Sequence, residues 1–136
     1  MDYLHITVED NQLKQISSLG LAHMGDCVYE IMTRSYLVLG GKTTAKSLHR
    51  ATTELVCAQA QAKGAQAFLP MLTPEETDAF HHGRNAKPKT IPKSCTQAEY
   101  AYATGLETLF GWLYLKGRYD RLNELFAVVL DALEQA

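Results

Sequence analysis

The sequence predicts an all-α domain of five to seven helices around one core, and three observations lead there. Apolar residues recur at spacings of three and four, as in Leu21, Met24, Val28 and Ile31, or Leu122, Leu125, Phe126, Val129 and Leu133. Helix start and stop residues fall between these stretches, and nothing alternates in the manner of a strand. At 136 residues, 46% of them hydrophobic, the chain can bury such a core without disulfides or a structural metal.

Taken in order, Ser17 or Ser18 caps a helix through "LGLAHMGDCVYEIMTRSYLV" that stops at Gly40 and Gly41. Its core stripe is Leu21, Met24, Val28 and Ile31. Asp26 points away from that stripe, and Ser18, Ala22 and Gly25 make a flank of small groups that admits another helix or a ligand. A second helix runs from Thr43 or Thr44 to about Ala62, with a break near Gly64 and a short piece reaching Leu69. Along it Lys42, Lys46, His49 and Arg50 share one face. "LTPEETDAFHHGRNA" carries a start signal, with Thr73 as cap, Pro74 in first place and Glu75 and Glu76 in the first turn. That helix frays near Gly83, and "NAKPKTIPKSC" follows as an extended basic loop. A strongly apolar helix then spans Thr96 or Gln97 to Lys116, where Gly117 ends it. An amphipathic helix closes the chain.

The charge pattern bounds the partners. A net charge of −2 conceals a basic middle, because residues Lys42 to Lys93 hold eight Lys and Arg against four acids while the two ends together carry −6. Phosphate binding depends on local potential, so a basic middle suits a nucleic acid that the total charge would not suggest. The acidic start lacks a basic region and an apolar signal core, no run is long enough to span a membrane, and the three cysteines match no zinc spacing. These features predict a cytoplasmic protein with no membrane partner.

Two acids are out of place. Asp26 is the only formal charge between Lys14 and Glu30, and Glu107 the only one between Glu99 and Lys116. A carboxylate in an apolar helix needs a proton, a partner or a metal ion, and two such helices suggest that the two acids meet. A hard divalent ion takes one or two carboxylates plus waters and phosphate oxygens, so the pair beside a basic loop is a candidate site for metal-assisted phosphodiester cleavage. The simpler alternative is that each acid bonds to backbone amides, Tyr hydroxyls or an arginine. Glu30 likewise has Arg34 four residues on as an ordinary partner.

"LGLAHMGDCVYE", "GRNAKPKTIPK" and "AEYAYATGLETLFGWLYL", in that order and over residues 13 to 130, resemble the mini-ribonuclease III family, which is similar to the catalytic domain of ribonuclease III without its double-stranded-RNA-binding domain. The resemblance implies a single ribonuclease III-type domain over residues 1–136. It implies a homodimeric, Mg²⁺-dependent endoribonuclease that cleaves double-stranded RNA to 5′-phosphate and 3′-hydroxyl ends, with the precursor of large-subunit ribosomal RNA as substrate. Asp26 and Glu107 match the family's signature aspartate and later glutamate, and so carry over as catalytic and metal-binding residues. Ala22 and Thr104 stand where ribonuclease III keeps two further acids, which leaves a two-carboxylate site. Thr104 and Glu30 are then candidates for outer-shell roles. RNA contacts are expected from Arg84, Asn85, Lys87, Lys89 and Lys93, with Lys46 and Arg50 as lesser candidates. Selectivity falls to the dimer cleft, the shape of the RNA or a helper such as a ribosomal protein. The competing class is a non-catalytic RNA-binding or ribosome-assembly protein on the same fold.

Overall fold

A computed structural model describes residues 1–41, 44–86 and 90–134. Among them the chain forms α1 (Asp10–Lys14), α2 (Ser18–Leu39), α3 (Ala45–Val56), α4 (Ala58–Phe68), α5 (Pro74–Arg84), α6 (Gln97–Leu115) and α7 (Tyr119–Glu134), with a 3-10 turn at Leu69–Met71 and no strand. The all-helical reading therefore holds, at the upper end of the predicted helix number.

The predicted starts are where hydroxyls capture orphan helix amides. Ser17 Oγ accepts from the Gly20 amide at 3.0 Å. Thr73 with Glu76 and Thr96 with Glu99 form reciprocal capping boxes on α5 and α6. Past the end of α6, Gly117 takes a φ of +73°, which a side chain would resist. The short α1 was not foreseen, although Glu9 and Gln12 form a capping box for it.

Helix α6 is the axis on which α2, α4 and α5 all pack. Leu106, Leu109, Phe110 and Leu113 on it are fully buried, against Tyr29 of α2, Phe68 of α4 and Phe80 of α5. Glycine sets how closely these neighbours approach. A Cβ on Gly25 would stand 1.6 Å from the Glu107 carbonyl oxygen, and one on Gly111 would stand 2.0 Å from the Leu21 carbonyl oxygen. The backbones of α2 and α6 thus touch at this crossing. Beside this crossing, a Cβ on Gly83 of α5 would fall 2.2 Å from Thr108 Oγ1.

The crossing corrects two expectations. The buried face of α2 is Leu21, Ala22, Gly25, Val28, Tyr29, Thr33 and Leu37, and Ile31 is 61% exposed. Helix α6 enters on the small flank, so α2 turns its Ala22–Gly25–Tyr29 side inward and leaves Ile31 outside. The flank predicted to admit a helix or a ligand has admitted a helix. Further on, the single helix expected through Ala62 is two. Cys57 is extended (φ −67°, ψ 157°) and separates α3 from α4. Gly64 lies inside α4, where Val129 of α7 packs so closely that a Cβ would come within 2.6 Å of its Cγ1. Its role is close approach, not a break.

Pattern reading also missed what fastens α7. Glu76, read only as a first-turn acid, is 2% exposed. The Nε and Nη2 of Arg121 each donate to a Glu76 carboxylate oxygen at 2.9 Å, and Nη2 also donates to the Met71 carbonyl at 2.8 Å. Burial works to raise the Glu76 carboxyl, but Arg121 and the Thr73 amide outweigh it and hold it below the usual carboxylate range. A depressed acid stabilises the fold above its ordinary range and loses that contribution as pH falls through it.

Two substitutions separate these constraints. Gly25→Ala forces α2 and α6 apart and is expected to cost at least about 3 kcal/mol in urea unfolding. Arg121→Met leaves Glu76 buried and unpaired, and is expected to cost about 3 kcal/mol at neutral pH. That second loss shrinks as Glu76 protonates in acid, and unfolding curves at two pH values will show the difference.

Candidate active site

Asp26 sits at the middle of α2 and Glu107 at the middle of α6, each next to the point where the backbones touch. That crossing brings the two carboxyl groups close enough for Asp26 to act on Glu107. The two lone acids are thus neighbours, as expected. Asp26 is exposed and Glu107 is half-buried. Burial is the larger cause that pushes the Glu107 carboxyl up to about 8, the nearby Asp26 raises it further, and Gln61 works the other way.

Gln61 was not foreseen. It belongs to α4, is 2% exposed, and its Nε2 has no hydrogen-bond partner although it lies beside Glu107. A long amide among Ala60, Ala62 and Ala65 was the signal available in the sequence.

The remaining acids and hydroxyls divide. Glu30 pairs with Arg34 at 2.9 Å, as its ordinary reading had it. Thr104 donates its hydroxyl proton to the Tyr100 carbonyl at 3.0 Å, which leaves its oxygen free only to accept. Among the described residues no three of His, Cys, Asp and Glu gather as a metal cluster. The chemistry of the donor set nevertheless fits a small hard divalent cation. Two carboxyl groups lie near one another, and waters and phosphate oxygens would complete the shell of such an ion.

Of the expected RNA contacts, Lys46, Arg50, Asn85 and Lys93 are exposed, and Arg84 is half-buried with its Nε donating to Asn85 Oδ1 at 3.3 Å. Lys46 and Arg50 line one groove of α3 with Thr44 and Glu54. His49 does not share it, because it lines the opposite groove with Arg34 of α2. Lys42, Lys87 and Lys89 lie outside the described residues. From α4, Gln59 Nε2 donates to the Ser94 carbonyl and ties that helix to the segment after them.

Comparison with known proteins gives this helical domain its class. A model of the ribonuclease III domain matches residues 19–118. The mini-ribonuclease 3 of Enterococcus faecalis is 46% identical over 82% of this chain and 86% of its own length. That of Symbiobacterium thermophilum is 42% identical over 86% of this chain and 90% of its own. A Fusobacterium nucleatum protein solved by X-ray crystallography superposes with a TM-score of 0.81 at 28% identity, over 87% of this chain and 96% of that one. The chain belongs to the mini-ribonuclease III branch of the ribonuclease III family, and it is an endoribonuclease. No helix of the described residues is long and apolar enough to cross a membrane.

Because Glu107 holds its proton more tightly when folded than unfolded, the metal-free protein binds the extra proton between the ordinary glutamate range and about 8. Its stability in chelator is then expected to fall, by on the order of a few kcal/mol, as pH rises through that window. Glu107→Gln removes the dependence, and urea unfolding in EDTA at several pH values measures it.

Proposed function

We propose that residues 1–136 act as one catalytic domain, a Mg²⁺-dependent nuclease that cuts double-stranded RNA and matures the precursor of large-subunit ribosomal RNA. The observation that carries this reading is the meeting of Asp26 and Glu107 across α2 and α6. Their four oxygens are hard donors, and Mg²⁺ bound there supplies activation of a water and neutralisation of charge at the scissile phosphate. Asp26, exposed at the surface, is the member of the pair open to solvent and substrate. Glu107, half-buried and beside Gln61, is the fixed member of the pair. As the family resemblance implies, the attacking group is water and the cut leaves 5′-phosphate and 3′-hydroxyl ends.

RNA positioning falls to side chains that lie between the pair in the chain, Lys46 and Arg50 on α3, Arg84 at the end of α5, and Asn85 and Lys93 after it. Arginine and lysine neutralise backbone phosphates, and the wide minor groove of A-form RNA presents phosphates and 2′-hydroxyls with little sequence information. Binding is therefore directed to duplex shape, and a helper such as a ribosomal protein supplies further choice of substrate.

A second copy completes the assembly. Leu19 and Ile31 are 65% and 61% exposed on α2, and with His23 and Cys27 they follow one another at spacings of four. Ile31 and Cys27 also line an apolar groove with Leu4, Met24 and Tyr119. A largely apolar exposed stripe along α2 that runs into an apolar groove supports a homodimer built on α2. The free thiols of Cys27, Cys57 and Cys95 suit a reducing cytoplasm.

Cleavage of a structured ribosomal RNA precursor with and without Mg²⁺ tests the reading directly. Asp26→Asn is expected to lower the cleavage rate by at least about a thousandfold while duplex binding persists. Binding by the parent without cleavage in Mg²⁺ would assign the chain to the non-catalytic class instead. Replacing Arg84 and Lys93 by Ala is expected to weaken duplex binding and to reduce the slope of log K against log salt by about 2. Ile31→Lys is expected to shift the molecular mass in solution from dimer to monomer.

A further inference from the structure

Gln61 is a poor choice for a residue that only fills space. It is 2% exposed in an alanine-lined stretch of α4, where an apolar side chain of the same length would leave no donor unsatisfied. Its Nε2 has no hydrogen-bond partner, and an orphaned buried donor costs about 1–3 kcal/mol if it is never satisfied. The neighbouring acceptor is the Glu107 carboxyl. With the amide reversed, its oxygen would oppose the carboxyl oxygens, so the nitrogen is the end that belongs towards Glu107.

We propose that Gln61 is a positioning residue of the catalytic centre, whose side-chain amide donates to the Glu107 carboxylate and fixes the face that this carboxylate turns towards the cation and the RNA phosphate. The inference rests on the reading of Asp26 and Glu107 as the metal-binding pair. Its physical content is an unfilled donor beside a ligand carboxylate. The Gln61 amide is buried with no hydrogen-bond partner among the described residues, and hydrogen bonds to charged acceptors are roughly twice as strong as neutral ones, so a Glu107 carboxylate committed to a cation is the acceptor that would satisfy it. Satisfaction of Gln61 is therefore coupled to metal binding rather than to folding. In this way α4, which carries neither acid, contributes the third protein group of the site. Outer partners of this kind orient a ligand and tune its affinity for the ion.

The test uses the full chain and Mn²⁺ as the probe ion, with Gln61→Met and Gln61→Leu as variants that retain volume and lack the donor. Mn²⁺ affinity is read directly by calorimetry, and thermal unfolding is read separately in EDTA. Both variants are expected to melt in EDTA at or above the parent temperature, and to bind Mn²⁺ about tenfold or more weakly. The Mg²⁺ concentration for half-maximal duplex cleavage should rise by a similar factor. Mn²⁺ affinity within twofold of the parent in both variants would overturn the proposal. So would a fall in EDTA melting temperature or a failure to fold in both, because the amide would then serve the fold. A parent that binds Mn²⁺ yet cuts no duplex removes the nuclease reading alone, and the Mn²⁺ comparison still decides the role of Gln61.

Discussion

The contact between the backbones of α2 and α6 at Gly25 and Gly111 is the constraint from which the rest of the molecule follows. Carbonyl oxygens of each helix occupy the space where the other would carry a Cβ. Helices that normally pack 8 to 10 Å apart approach more closely only where side chains are missing. That proximity determines which face of α2 is buried and exposes Ile31. It also places two acids of opposite helices in contact, one residue beyond the crossing on α2 and at its centre on α6.

Much of this was legible from residue types. Hydroxyls at Ser17, Thr73 and Thr96 announced three helix starts because a side-chain oxygen is the commonest remedy for orphan amides. Two lone carboxylates in apolar helices announced a meeting because each is costly alone. What remained hidden depended on rotation and distance. A stripe of Leu21, Met24, Val28 and Ile31 differs from the true buried face by a turn of the helix that periodicity cannot resolve. Gly64 read as a breaker because spacing alone cannot reveal Val129 against it. Glu76 sat correctly in its first turn, but the sequence could not show that Arg121, 45 residues away, holds it. Gln61 left only a faint signal, a long amide among alanines, because an amide in a helix has no periodic signature and its neighbour Glu107 is 46 residues away.

The site and its surroundings divide the electrostatic work. Glu76 and Arg121 neutralise one another inside the fold and are insensitive to substrate. Glu107 is half-buried with no cationic partner among the described residues, and burial and the neighbouring Asp26 both work against its charge. The fold thus contains one carboxylate that is satisfied permanently and one whose satisfaction is conditional. Conditional charge is what gives a metal-dependent site its affinity, because the ion relieves a repulsion already present in the protein.

The crossing also acts as a fulcrum. Helix α2 extends fourteen residues beyond Gly25 to Leu39, a lever of about 21 Å. A swing of about 5° about the contact would carry that end through about 2 Å but displace Asp26, one residue from the pivot, by only about 0.1 Å. Glu107 lies at the pivot itself. Tyr29, Thr33 and Leu37 hold that arm in the core, so any strain on the domain would be felt at the far end of α2 long before it changed the spacing of the two carboxylates.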